Sequence, residues 1–180
     1  MNWSVVAIVG LLAAAAQTTL ASRVAIGAIR PDWLLVLTVF FGLYGRRREA
    51  LICGWALGVL ADLLSIERPG VMSAAYAFSA LAANGIRDAV YLRNAATHFA
   101  VTALIGVFVY AGLTLYRAAV FPLPMGASIR AVLSDAGHVV YSCAWAIPID
   151  AILLRLAAIL GLRVSRAPDS NPPRRRGPHV

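Results

Sequence analysis

The chain has 180 residues, 61% of them hydrophobic and 13% charged, with a mean hydropathy of +0.77 and a formal net charge of +8. A soluble domain of this size would carry charges through its helices; here they punctuate long apolar runs, which points to a single transmembrane domain over residues 1–162 with no room for a separate soluble one. The sixteen basic residues are all arginine and flank the apolar runs instead of forming one patch, so they argue for membrane topology and against nucleic acid as a partner.

Residues 3–21 read as the first span, with Trp3 as an interfacial anchor and Gln17, Thr18 and Thr19 making its far end polar. A cleavable signal peptide would need a basic start, and residues 1–10 contain no arginine or lysine, so this segment is expected to remain as a span. Residues 23–30 form a short, mildly apolar connection containing Gly27. Pro31 and Asp32 open a second span. Proline suits the first helical position, where its missing N–H costs least, and an aspartate in the first turn meets the positive end of the helix dipole. From Pro31 to the closing Gly45 this span has only about 14 residues, against roughly 20 needed to cross a hydrocarbon core. Either residues 24–29 dip into the membrane, or the helix stands nearly upright and thins the bilayer locally.

Arg46, Arg47 and Arg48 stand at the mouth of the third span, residues 50–66. At about 100° per residue, Gly54, Gly58, Ala61, Asp62 and Ser65 fall on one face, and Ile52, Ala56, Val59, Leu60 and Leu63 on the opposite one. Small residues four apart let another helix backbone approach closely, so the first face is expected to meet a helix and the second lipid or an apolar neighbour. Pro69 and Gly70 make the turn into the fourth span, residues 71–86, whose Ser73, Ala77, Ala80 and Asn84 again form a small, polar face. Arg87, Asp88, Arg93 and Asn94 mark a polar loop. The fifth span covers residues 96–119 and is stopped by Pro122 and Pro124. Residues 126–136 read as a short interfacial helix, followed after Gly137 by a sixth span over residues 138–162, interrupted at Pro148. Residues 163–180, rich in arginine, proline and serine, are expected to be a disordered basic cytoplasmic tail.

Six spans put both termini on one side. With both ends cytoplasmic, ten arginines fall inside and five outside, Arg155 within the last span being uncounted; the positive-inside rule therefore selects that orientation.

An ionisable group at bilayer depth costs about 2.5–3.5 kcal/mol on insertion scales and raises a functional question by default. Asp62 shares its face with the glycine pair, yet also lies near the end of its span, where it could be solvated close to Arg68. Asp150 and Arg155 are about 140° apart on a helix and make poor partners. Asp150 is expected to meet backbone groups freed by Pro148. Cys53 and Cys143 read as packing residues, and His98, His138 and His179 form no metal-binding spacing. No acid stands in a catalytic spacing with a second acid, a histidine or a serine, so no enzyme chemistry, cofactor or metal is expected.

The run from residue 30 to residue 87 resembles the MreD family of rod shape-determining membrane proteins. The shared elements are a Pro-Asp opening the second span (Pro31, Asp32), a short basic turn (Arg46 to Arg48), a Gly-x-x-x-Gly-x-x-x-Asp helix (Gly54, Gly58, Asp62) and a Pro-Gly turn (Pro69, Gly70). Chain length, six spans and a proline in the last span also agree; the long basic tail, Asp150 and Arg155 depart from the pattern. The resemblance implies a non-enzymatic component of the bacterial inner membrane, beside a bitopic MreC-like protein and, indirectly, an MreB-like actin filament and the peptidoglycan synthases. It also implies a bundle similar to the substrate-binding subunits of energy-coupling-factor vitamin transporters, which makes such a subunit the rival reading. That rival would need aromatic and polar groups facing one cavity. Trp33, Tyr76, Tyr110 and Trp145 are the candidates, although packing or interfacial roles suit them better.

Overall fold

A helix that is apolar on every side has no face to give to water and belongs in the middle of a bundle. The run WLLVLTVFFGLY is such a helix, and in the computed structural model it forms α2 (Trp33–Tyr44), buried from Trp33 through Leu43. The structure describes residues 1–21, 23–27, 29–65, 68–87, 95–120 and 125–162. Around α2 stand α1 (Trp3–Thr19), α3 (Arg47–Leu64), α4 (Val71–Ile86), α5 (Ala95–Val120) and α6 (Met125–Leu160), and α2 touches every one of them. Its one interior hydroxyl, on Thr38, donates back to Leu34 O at 2.8 Å, so the buried polar group is satisfied within the helix.

The helices run alternately up and down. Asn2 N donates to Leu160 O at 3.0 Å and Asn2 Nδ2 to Ile159 O at 2.6 Å, which ties the start of α1 to the end of α6. At that same end, Asn84 Nδ2 and Arg87 Nη1 each donate to Gly45 O at 3.0 Å, satisfying a carbonyl at the C-terminus of α2 from α4. The outer faces are apolar: Leu12, Leu63, Phe78, Phe108 and Leu115 are each more than 60% exposed. Soluble proteins rarely expose so many large apolar side chains on so many helices. Two segments, Thr97–Val120 and Val132–Ala157, are long and apolar enough to cross a membrane; α1, α2 and α4 are apolar but shorter.

At 12 residues α2 is about 18 Å long, and the chain in front of it explains the shortness. Residues 23–30 do not extend the helix. The described residues 23–27, 29 and 30 make a tight reversal, with Gly27 at φ 64° and a bridge between Ile26 and Ile29, lying against α6. Tyr141 Oη donates to Val24 O at 2.6 Å, and His138 Nδ1 lies 2.9 Å from Arg30 O and 3.1 Å from Arg30 N, pairing with one or the other according to its tautomer. Irregular backbone is tolerable in a membrane domain only where protein satisfies it, and α6 does so here.

Several sequence expectations need correction. The expected interfacial helix over residues 126–136 and the expected sixth span are one continuous 36-residue helix, α6. Gly137 is not a break: a Cβ there would lie 2.6 Å from Ile29 Cδ1, so the glycine makes room for the reversal before α2. Pro148 is likewise accommodated inside α6. Pro31 is not the first helical residue; it precedes the capping residue Asp32 and is fully buried. Finally, α3 starts at Arg47, so two of the three arginines belong to its first turn. The expected tail, residues 163–180, and the polar loop residues Asp88, Arg93 and Asn94 lie outside the described residues.

Candidate functional site

The small-residue faces of α3 and α4 meet each other. A Cβ on Gly54 would stand 2.6 Å from Ala80 Cβ and 2.7 Å from Tyr76 O; a Cβ on Gly58 would run into Ser73 Cα and stand 2.7 Å from Met72 O. The two backbones are thus in van der Waals contact, and no side chain larger than hydrogen fits at either glycine. Gly42 does the same for α2 against α4, its imaginary Cβ lying 2.6 Å from Ala83 Cβ and 2.9 Å from Ala80 O. Close backbone approach of this kind supplies the dispersion contacts that hold helices together where lipid removes the hydrophobic drive. Ala61 continues the α3 face, half-buried against the core.

Asp62 completes that contact at the far end of the bundle. The residue at the N-cap position of α4 is Gly70, held at φ 101° in the turn that Pro69 opens, and it has no side chain with which to cap. Asp62 supplies the missing acceptor from α3: Gly70 N and Met72 N donate to its carboxylate at 2.9 Å, Ser73 N at 3.1 Å and Ser73 Oγ at 2.8 Å. The three N–H groups are orphan donors at the start of α4, and the negative charge also complements the helix dipole. Ser65 ends α3 by donating from both N and Oγ to Asp62 O, at 3.3 and 3.2 Å.

A second polar centre surrounds the start of α2. Asp32 caps its own helix, accepting from Leu35 N at 3.1 Å, and its other oxygen accepts from Tyr76 Oη at 2.5 Å and Tyr110 Oη at 3.2 Å. Its backbone N–H donates to Ser142 Oγ at 2.7 Å, and Trp33 N donates to Gln17 Oε1 at 2.9 Å. Trp33 and Trp145 touch with ring centroids 5.6 Å apart. Four helices therefore converge on the buried first turn of α2, and the four aromatic residues singled out from the sequence gather around Asp32 and one another.

A third centre lies at the opposite end of α2. Tyr44 Oη is 2.9 Å from His98 Nε2, the two rings stack at 5.7 Å, and His98 Nδ1 is 3.0 Å from Asp150 Oδ2. His98 and Asp150 are both about 95% buried. The expectation that Asp150 serves the backbone near Pro148 is therefore corrected: it meets the imidazole of α5. Pairing explains how a carboxylate survives there, since a buried charge persists only with a partner. Removing one member leaves the other stranded. Asp150→Leu or His98→Leu alone should cost about 3–5 kcal/mol, and the double replacement clearly less than the sum. Reversible unfolding in detergent micelles measures all three; strict additivity would show that the pair is not coupled.

Sequence reasoning placed Gly54, Gly58, Ala61, Asp62, Ser65, Pro69 and Gly70 along one helix face and its following turn. The structure brings Gly54, Gly58 and Asp62 against α4 and its leading turn at Pro69 and Gly70, while Ser65 bonds back to Asp62 O and Ala61 is half-buried against the core. Pro31 and Asp32 form a separate centre on the far side of Tyr76. Gly42 and the Tyr44–His98–Asp150 chain were missed. Gly42 could have been found from the Gly-x-x-Gly spacing to Gly45; the triad joins residues more than 50 positions apart, and nothing local signals it.

The family profile described as rod shape-determining protein MreD matches residues 1–157, which includes all six helices up to the last turn of α6. No curated protein and no solved structure matches the chain. With the profile spanning nearly the whole described bundle, the chain belongs to the MreD family of rod shape-determining membrane proteins.

Proposed function

We propose that the chain is a non-enzymatic, multi-pass component of the bacterial inner membrane that helps position peptidoglycan synthesis during elongation. It acts through an MreC-like bitopic partner and, indirectly, through an MreB-like filament and the synthases. The observation that carries this reading is how its polar groups are placed. Asp62, Asp32 and the His98–Asp150 pair each end on a neighbouring helix of the same chain, so they hold a scaffold together. The outer faces remain apolar and suited to lipid and to partner helices. On this reading Gly54, Gly58, Ala61, Asp62, Ser65, Pro69 and Gly70 are internal packing residues, and the partner helix docks on another face. The vitamin-subunit alternative called for aromatic residues around a ligand; here Tyr76 and Tyr110 close on Asp32, and Trp33 and Trp145 on each other.

The arginine distribution and the alternating order of the helices support a reading of six crossings with both termini cytoplasmic. Reporter fusions at Gly45 and Val180 should read as cytoplasmic and one at Pro69 as external; an external signal at the Arg46–Arg48 turn would overturn this orientation. The functional test is affinity purification of the tagged chain from host membranes. An MreC-like protein should co-purify in stoichiometric amounts, and recovery of an ATPase module in its place would favour the transporter class.

A further inference from the structure

At the end of the bundle where α1 starts and α6 finishes, a cleft of about 420 Å³ opens between the C-terminus of α2 and the N-terminus of α3. Tyr44, Arg46, Glu49 and Arg87 supply its polar wall. Glu49, its one carboxylate among the described residues, is engaged at the start of α3: Oε2 accepts from Arg46 N at 3.0 Å, and Oε1 lies 3.5 Å from the Met1 amine. Arg46 and Arg87 therefore line the cleft beside a single carboxylate among the described residues, and that carboxylate is already engaged at the start of α3. Arg47 and Arg48, exposed on the first turn of α3, raise the positive potential further, as does the N-terminal end of that helix. Arg87 is fixed in place through Nη1 by Gly45 O at 3.0 Å, so part of the binding wall is rigid before anything enters.

The chemistry of this wall selects its ligand. Guanidinium groups present forked donors that match the oxygens of a phosphate, and they are less strongly hydrated than ammonium groups. The cleft is wide enough for a polyatomic anion, since one water occupies about 30 Å³. It also lies at the end of the bundle that carries the exposed Arg46, Arg47 and Arg48, and juxtamembrane arginines of this kind draw anionic lipid headgroups. Tyr44 joins the cleft to the buried pair, because its hydroxyl is the group that meets His98 at 2.9 Å. We propose that this cleft binds a phosphate ester anion, carried by the headgroup of an anionic phospholipid or by a free phosphate compound.

The proposal stands apart from the choice of protein partners and is tested on the purified full-length chain alone. After delipidation by detergent exchange, phosphatidylglycerol, phosphatidylcholine and inorganic phosphate are each titrated while binding is followed by native mass spectrometry and thermal unfolding. Saturable binding of phosphatidylglycerol or of phosphate, with phosphatidylcholine inert, is the expected result, and which of the two binds identifies the source. Arg46→Gln keeps the backbone N–H that Glu49 accepts from and should weaken binding at least about fivefold, with Arg46→Lys intermediate. Arg47→Gln, on the same turn but outside the cleft wall, should change it less than about twofold. Absence of saturable binding to either probe, or equal losses in Arg46→Gln and Arg47→Gln, would overturn the proposal. Arg87 is left intact because it also caps α2.

Discussion

Gly58→Leu should remove most of the folded protein from the membrane. Even the first carbon of the new side chain would collide with Ser73 Cα and press on Met72 O, and both belong to the backbone of α4. Overpacking that a flexible side chain can absorb costs about 1–3 kcal/mol; here the two helices would have to separate, so the cost should lie at or above the upper end. Separation would also pull Ser73 and Gly70 away from Asp62 and expose the donors it satisfies. Ala56→Leu is the matched control. Ala56 lies on the exposed side of α3, beside an apolar groove shared with Trp3 and Gly10 of α1, where added bulk meets open space. Folded yield by size-exclusion chromatography of a fluorescent fusion should fall severalfold for Gly58→Leu and stay near wild type for Ala56→Leu. Measuring co-purified MreC-like protein beside yield separates a folding defect from a docking defect. A Gly58→Leu protein that folds normally but loses its partner would place the glycine face at an external interface.

Asp32→Ala should be comparably damaging for a different reason. The carboxylate is the shared acceptor for Tyr76 Oη, Tyr110 Oη and Leu35 N, and it sits in the buried middle of the bundle. Truncation strands two phenol hydroxyls and one helix-start N–H, each at about 1–3 kcal/mol when buried and unpaired. Several kcal/mol is a large fraction of the stability of any domain. Asp32→Asn keeps an acceptor and should lose less. Tyr110→Phe, which removes the longer of the two phenol contacts, should lose about 1 kcal/mol. Unfolding in mixed micelles gives all three numbers. An Asp32→Ala protein as stable as wild type would mean that this centre does not hold α2 in place.

What was legible in the sequence follows from periodicity and punctuation. The apolar runs and the Pro and Gly signals located α2, α3 and α4, and 100° spacing put the α3 glycines and Asp62 on one face and Ser73, Ala77, Ala80 and Asn84 on another. That the two faces meet is a tertiary fact that no spacing carries. Gly137 was misread because a glycine between an amphipathic stretch and an apolar one looks like a break, whereas its purpose is to admit Ile29. The shortness of α2 was visible, but not that Val24, Ile29 and Arg30 in front of it lie against α6. Asp150 was assigned to its nearest irregularity, Pro148; its true partner, His98, is 52 residues away in sequence and 3.0 Å away in space.

The proposed role, a scaffold of the elongation machinery that acts through partners, is tested most directly by depletion in the host. Cell width and the position of fluorescently tagged MreC-like and MreB-like proteins should be followed as the chain is withdrawn. Rounded or widened cells with both proteins dispersed, restored by the wild-type chain and not by Gly58→Leu, are the expected result. Cells that keep their shape but require a vitamin, and grow again when it is supplied, would contradict that role.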